Sequence, residues 1–405
     1  MTFPWPGRRA LYAPALIAYA GLRVAFTGFH ASRYTDTPTY EHTAAAPLWS
    51  VRFWAGTRGF TLPLVYKVIG NDEARIGFQL AFSIVAWSVL AIVFARSLQT
   101  GGGRFAGFAV VLLFSLTRYV IGWDPLLLSE SLSISLFALL VATLLVVARR
   151  PSGRSVAALL VLFVLWTFAR DSNGVVLFVA GLVALVLALR PRRRGLKLAL
   201  GAAAIAVFAC SVVTTEVGKR WQGAFAEVMP ARAAEYPQLR RALKGHRTLT
   251  ARRRAYEVFL VTHPVYLLVD PFVGTEDTAY SSRRRADALL SPHLDSYAAT
   301  LNGAARPVRA VFDVFWIHPL GAVLALAALA LGAAGVASRG RPDEVGWVGL
   351  AVLASAYPAA LGAWHLAGTE VDRHAIGAGI ALRLGSWLLL AYALDRLLAS
   401  REARR

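Results

Sequence analysis

About ten long apolar runs follow one another along this 405-residue sequence, and each can cross the roughly 30 Å apolar layer of a membrane. The runs are continuous rather than alternating, which predicts helices and not the strands of a membrane barrel. Hydrophobic residues make up 57% of the chain and charged residues 16%, whereas soluble domains carry about 25% charged residues. We therefore predict an all-α integral membrane protein of about ten transmembrane helices. The predicted spans lie near residues 10–27, 74–95, 105–122, 125–148, 155–170, 173–190, 197–214, 312–337, 345–367 and 376–399.

The arginines predict how these spans are oriented. If the N-terminus is inside, the inside connections are rich in arginine, whereas the short outside loops hold few charges. This positive-inside pattern predicts a multi-pass protein of the bacterial plasma membrane with both termini in the cytoplasm. The pattern and attraction to anionic headgroups also account for the formal charge of +20, so no nucleic-acid partner is predicted. The basic residues of the inside connections are Arg8–Arg9, Arg96, Arg104, Arg149–Arg150, Arg154, Arg190, Arg192–Arg194, Lys197, Arg339, Arg341, Arg401, Arg404 and Arg405.

Two predicted outside segments are long and divide the chain. Loop 28–73 lies within an N-terminal bundle of about seven spans, residues 1–214. Residues 215–311 form an extracytoplasmic loop with short interfacial helices, and residues 312–405 hold about three further spans. Within this loop, Tyr256–Val273 is apolar but interrupted by two prolines, which favours a helix on the membrane surface. If this segment spans instead, the topology downstream inverts.

Ionisable residues at membrane depth gather in the predicted outer half, and such residues are functional candidates by default. Together they predict a polar cavity that opens to the outside. Several of these residues also have a simpler interpretation. Arg118 and Glu130 form a structural ion pair, Arg23 extends to the membrane interface, Arg170-Asp171 is a loop turn, and His374 is an interfacial histidine. The residues are Arg23, Arg118, Asp124, Glu130, Arg170, Asp171, His374 and Arg383.

The first outside loop holds the most specific candidate. Asp36 lies just after the first span, where a carboxylate can accept a proton from an attacking hydroxyl. The simpler interpretation is that Asp36 caps a helix that begins at Thr37-Pro38, since proline suits the first turn of a helix. The two roles are compatible.

These motifs resemble the glycosyltransferase-C superfamily, whose members move a sugar from a polyprenyl-phosphate carrier to an acceptor outside the cytoplasm. The protein O-mannosyltransferases and the lipid-linked mannose or arabinose transferases of bacterial envelopes are the most similar in layout. The resemblance covers most of the chain but rests on short motifs. These are Asp36 with Tyr40, Leu128-Ser129-Glu130-Ser131-Leu132, His263-Pro264-x-Tyr266-Leu267 and Asp372-Arg373-His374.

The resemblance implies a lipid-linked donor and an extracytoplasmic glycan, lipid or protein acceptor, with Asp36 as the catalytic base. Guanidinium groups bind phosphate in a bidentate fork, and cations near the leaving phosphate would assist the reaction. No cofactor is predicted; a divalent metal is left open, because Thr37 follows Asp36 where many members carry a second acid. The predicted phosphate ligands are Arg373, His374, Arg383, Arg170 and Arg23, and the supporting residues are Tyr40, Arg118, Asp124, Glu130 and His263.

Two other function classes remain open from the sequence. A transporter or flippase for a lipid-linked anion would also need a polar cavity lined by arginine. It predicts inverted repeats and polar residues near the midplane, neither of which the sequence shows. A non-catalytic scaffold for envelope assembly is the other hypothesis. The chain has no phosphate-binding G-x-x-x-x-G-K-[ST] loop, which argues against an ATP-driven pump.

Overall fold

The computed structural model describes residues 9–191, 193–269, 320–339, 342–366 and 374–404, and their regular structure is helical. One isolated bridge, Ser32 with Leu126, is the pairing of extended backbone within these ranges.

The helices of the first half are α1 (Arg9–Thr27), α2 (Thr37–Ala45), α3 (Val51–Trp54), α4 (Thr61–Val68), α5 (Asp72–Ser97), α6 (Gly101–Ser115), α7 (Arg118–Ile121), α8 (Ser129–Arg149), α9 (Gly153–Thr167) and α10 (Asp171–Leu187). Those of the second half are α11 (Arg194–Val217), α12 (Arg220–Glu235), α13 (Pro237–Leu243), α14 (Leu249–Thr262), α15 (Pro264–Leu268), α16 (Leu320–Ala337), α17 (Glu344–Ala354), α18 (Ala356–Leu366) and α19 (Ile376–Glu402).

The described helices make this a multi-pass membrane protein. Five stretches are long and apolar enough to cross a membrane: α5, α8, α11, α17 with α18, and α19. Four shorter apolar helices accompany them, namely α6, α9, α10 and the Leu326–Ala337 part of α16. A helix overlaps each of the ten predicted spans, but the number ten and the direction of the termini stay predictions.

The segment predicted to lie on the membrane surface is two helices in its described part. α14 ends at Thr262 and α15 begins at Pro264, so the chain bends at His263. One face is buried through Tyr256 and Tyr266, whereas Val258 and Val261 are exposed. Each of the two short helices has buried and exposed residues, and the position of this segment on the membrane surface stays a prediction.

The last helix, α19, is the central packing element of the bundle. It contacts α6, α16, α17 and α18. Gly385 allows its close approach to α17, because a Cβ at this position would lie 2.5 Å from the backbone nitrogen of Leu353. At its other end, the buried Asp395 accepts hydrogen bonds from the amides of Gln99 and Thr100, at 2.8 and 2.7 Å. The carboxylate thus fixes α19 to the turn between α5 and α6.

The loop after α1 is held against the segment that precedes α8. Gly28 ends α1 with φ +67°, a conformation that favours glycine, and turns the chain into the loop. Ser32 then pairs with the segment that precedes α8. Its backbone N–H donates to Pro125 O at 2.8 Å, and its carbonyl oxygen accepts from the N–H of Leu127 at 3.0 Å. Thr37 Oγ1 donates to Leu127 O at 3.1 Å. These bonds place Asp36 beside the start of α8.

Candidate functional site

Asp36 lies at the N-cap position of α2, but its side chain makes no capping hydrogen bond. Its Oδ1 instead lies 2.5 Å from Nη2 of Arg58, and the Asp36 side chain is 19% exposed. The sequence therefore predicts correctly that a helix begins at Thr37, directly after Asp36. The simpler interpretation, in which the Asp36 side chain caps that helix, is not supported. The carboxylate is held in place and stays accessible from outside the fold.

Arg58 lies in the segment between α3 and α4, and contacts with α2 fix its side chain. Its Nε donates to Thr39 Oγ1 at 2.8 Å, and its guanidinium lies 5.1 Å from the centre of the Tyr40 ring. The next residue, Gly59, passes close to the end of α9, where a Cβ would lie 2.2 Å from the carbonyl oxygen of Phe168. A larger residue at Gly59 would displace the segment that orients Arg58.

Tyr40 connects the first loop to the start of α8. Its hydroxyl donates to Ser129 Oγ at 3.1 Å, and Ser129 Oγ lies 3.5 Å from Oε2 of Glu130. Burial raises the pKa of the Tyr40 phenol above its ordinary value, so the hydroxyl stays protonated and acts as a donor. Glu130 is buried, with 2% of its side chain exposed.

Glu130 lies next to a cation from the α9–α10 junction. Nη2 of Arg170 is 3.7 Å from Glu130 Oε1 and 3.0 Å from Nδ1 of His374, at the start of the last helix. Because the guanidinium can only donate, Nδ1 of His374 is the acceptor in this contact. A cavity of about 30 Å³ adjoins Arg170 and His374 and also contacts Asn173. It has room for about one water molecule and not for a sugar.

We call this set of residues the polar cluster. Its members come from the first loop, the start of α8, the α9–α10 junction and the start of α19. The contacts described above join them into one continuous set. The members are Asp36, Tyr40, Arg58, Ser129, Glu130, Arg170 and His374.

Arg23 has a structural role that the sequence does not predict. The side chain is fully buried, and its five N–H groups all have acceptors. Two bonds go to Oδ2 of Asp124, at 3.1 Å from Nε and 2.8 Å from Nη2, and the others go to Tyr19, Ser115 and Ser83. The predictions that Arg23 binds a donor phosphate and that it extends to the interface are therefore not supported, because no donor remains and no surface is exposed.

Asp124 is the buried partner in this pair. Its Oδ1 accepts a hydrogen bond from Ser131 at 2.7 Å, and Gln79 donates to its backbone carbonyl at 3.0 Å. Because 1% of its side chain is exposed, an acceptor substrate cannot reach the carboxylate. Asp124 therefore supports the site by tying α1 to the segment before α8, and it does not supply a second accessible acid.

The remaining predicted residues are placed elsewhere or lie outside the described part. Arg383 is buried further along α19, with its guanidinium 5.1 Å from the Tyr119 ring centre. His263 stacks on Phe259 at 4.1 Å and lies at the bend between α14 and α15. Arg373 is outside the described residues, and so is the Arg118 side chain, which leaves the predicted Arg118–Glu130 pair untested.

Glu41, the next acid after Asp36 in the first loop, belongs to an ion network. Its oxygens lie 2.5 Å from Arg33 and 3.0 Å from Arg75. The same two arginines also contact Asp72, at 2.6 and 2.8 Å. The network fastens α2 to the start of α5, which gives Glu41 a structural role.

Sequence reasoning missed two arginines. Arg58 carries no motif, and only the fold shows that it meets Asp36, 22 residues away. Arg220 is buried and lies 3.2 Å from Asp171, while its Nε and Nη1 have no hydrogen-bond partner. The one sequence signal for these two arginines is their place at or near the start of a helix, and many other arginines of the chain share it.

Among the described residues, no group of three or more His, Cys, Asp or Glu side chains is arranged to hold a metal ion. A scan against models of protein families and a search of curated proteins found no match to this chain. The function proposed below therefore depends on the chemistry of the polar cluster and on the motif resemblance.

Proposed function

We propose that this protein is a membrane glycosyltransferase that moves a sugar from a polyprenyl-phosphate donor to an extracytoplasmic acceptor. The observation that carries the proposal is the position of Asp36. It is an accessible carboxylate that contacts Arg58, and it belongs to the polar cluster, which also holds a second arginine and a histidine. A base close to cations is the minimum that transfer from a lipid phosphate requires.

The proposed reaction is a direct displacement. The acceptor hydroxyl oxygen attacks the anomeric carbon, and its proton passes to Asp36. The bond between that carbon and the phosphate oxygen breaks, and its electron pair stays on the phosphate. A single displacement inverts the anomeric configuration. We assign to Arg170 and His374, which contact each other, the binding of the phosphate as it gains charge.

The accessible part of the polar cluster is where the reaction would take place. The adjoining cavity is too small for a sugar, whereas Asp36, Arg58 and His374 are partly exposed. Tyr40 and Ser129 connect this exposed part to the buried Glu130. We therefore assign proton transfer to Asp36 and phosphate binding to Arg170 and His374. Orientation is assigned to Arg58 and to the buried Tyr40, Ser129 and Glu130.

The proposal is tested by a transfer assay with the purified protein in nonionic detergent. A panel of polyprenyl-phosphate sugars is supplied with a short hydroxyl acceptor, and product formation and anomeric configuration are measured. We expect transfer from one or two donors with inversion. Protein-dependent movement of the donor across a vesicle membrane without any transfer would support a flippase instead, and retention of configuration would exclude direct displacement.

A further inference from the structure

A second cavity opens at the end of the bundle that lies away from the polar cluster. Its volume is about 1060 Å³, and it is lined at one side by Arg149 and Arg150, where α8 ends. α8 begins at Ser129 in the polar cluster and has 21 residues, so the two sites are about 30 Å apart. The cavity is therefore separate from the site proposed for sugar transfer, and the inference below does not depend on that function.

Arginines from two connections, α5–α6 and α8–α9, meet at this cavity. Arg96 ends α5, Arg104 lies in α6, and Arg149 and Arg150 end α8. Within the described chain, no hydrogen bond or ion pair occupies the guanidinium groups of Arg96 and Arg150. Such groups attract anions, and phosphate matches the geometry of the guanidinium fork.

Two carboxylates also line the cavity but do not neutralise it. Asp343 forms an ion pair with Arg396, with 2.6 Å between Oδ2 and Nη2, and Glu344 follows it at the start of α17. Four arginines therefore face two acids, one of which already has its own arginine. The cavity keeps an excess of positive charge.

The wall of the cavity behind the arginines is apolar. Ile92 and Val93 of α5 and Leu145 and Val146 of α8 form it, with Tyr12 of α1. α5 and α8 are both long and apolar enough to cross a membrane. An occupant that matches this lining has an anionic head and a hydrocarbon tail, whereas a soluble anion would leave the apolar wall uncovered.

We infer that this cavity binds an anionic phospholipid. The headgroup phosphate lies among the four arginines, and the first part of an acyl chain follows the wall formed by α5 and α8. The bound lipid links α1, α5, α6, α8 and α17, so it stabilises contacts between the two halves of the chain. It belongs to the membrane leaflet opposite the polar cluster.

The test is a lipid titration of delipidated full-length protein in nonionic detergent, followed by the thermal unfolding midpoint. Phosphatidylglycerol should raise the midpoint, and equal amounts of phosphatidylcholine or glycerol phosphate should not. In R96Q/R150Q, half-maximal stabilisation should need about 30-fold more phosphatidylglycerol, taking about 1 kcal/mol for each arginine near the headgroup. Arg154→Gln is the matched control, because Arg154 lies at the same end but does not line the cavity.

A second variant covers the case in which the double substitution does not fold. Val146→Trp fills the apolar part and leaves all four arginines in place, and Val161→Trp is its control on the exposed face of α9. We expect weaker lipid stabilisation in Val146→Trp alone. Titrations of R96Q/R150Q or Val146→Trp that match the wild type would overturn the inference, and so would equal stabilisation by glycerol phosphate.

Discussion

Nη2 of Arg170 lies 3.0 Å from Nδ1 of His374, a residue 204 positions further along the chain. Arg170 lies just before α10 and His374 just before α19, and the same Nη2 is 3.7 Å from Oε1 of Glu130. This arrangement joins the α9–α10 junction to the start of α19. It gives the proposed donor site a cation that the fold holds in a defined place.

Arg170→Lys tests this cation. Lysine keeps the charge but loses the planar fork that contacts two partners, so we expect weaker donor binding. The KM for the lipid-phosphate donor should rise by about tenfold or more, the ratio for one lost charge-assisted hydrogen bond. Transfer kinetics over a range of donor concentrations provide the measurement. An unchanged KM would remove Arg170 from the donor site.

In the proposed reaction Arg58 orients Asp36, so Arg58→Gln should lower kcat and leave donor KM nearly unchanged. A displacement of about 1 Å at a reacting group can lower the rate about 100-fold, so we expect a loss in kcat of up to about that factor. Arg58→Lys should recover part of the lost rate, because the charge near Asp36 is kept. Arg52→Gln is the control, since Arg52 is exposed in the same loop and contacts His42. Equal losses in Arg52→Gln and Arg58→Gln would show a general effect of the loop.

The buried pair of Arg23 and Asp124 should dominate the stability of the first helix. Arg23→Gln leaves a buried carboxylate without its partner, which costs about 3–5 kcal/mol. Arg33→Gln, on the exposed side of the loop, should cost about 1 kcal/mol or less. The free energy of unfolding in mixed micelles measures both. If the two variants are equally stable, the pair does not fasten α1 in the way described.

Orientation in the membrane is tested by thiol labelling in intact cells. The single cysteine, Cys210, is first replaced by alanine. Cysteines are then placed at Gly195 and Gln238, which are both exposed in the structure. The positive-inside pattern predicts that an impermeant reagent labels Gln238→Cys and not Gly195→Cys. The reverse result would put the polar cluster in the cytoplasm.

The helices could be predicted from the sequence because long apolar runs in a membrane have one stable backbone arrangement. The break at His263 and the start of α2 after Asp36 also follow from local rules for proline. The partners of the buried charges could not be predicted. Arg23 meets a carboxylate 101 residues away, and that contact depends on how several helices pack.

The same limit applies to the candidate site. The sequence pattern selects Asp36, Glu130, Arg170 and His374 as charged or polar residues at one depth. It does not select Arg58, which lies 22 residues from Asp36 in the sequence and meets it only in the folded protein. The sequence also cannot separate a partly exposed carboxylate such as Asp36 from a buried one such as Asp124.

The central claim is that Asp36 accepts the proton of the acceptor hydroxyl, and the rate of transfer by Asp36→Asn tests it most directly. General-base catalysis contributes about 10²–10⁴-fold, and asparagine keeps the size of the side chain. We expect the rate to fall by that factor at saturating donor, while the thermal midpoint and donor binding stay close to the wild type. Glu41→Gln, an ion-paired acid of the same helix, should keep most of the transfer activity. Transfer by Asp36→Asn at the wild-type rate would contradict the account.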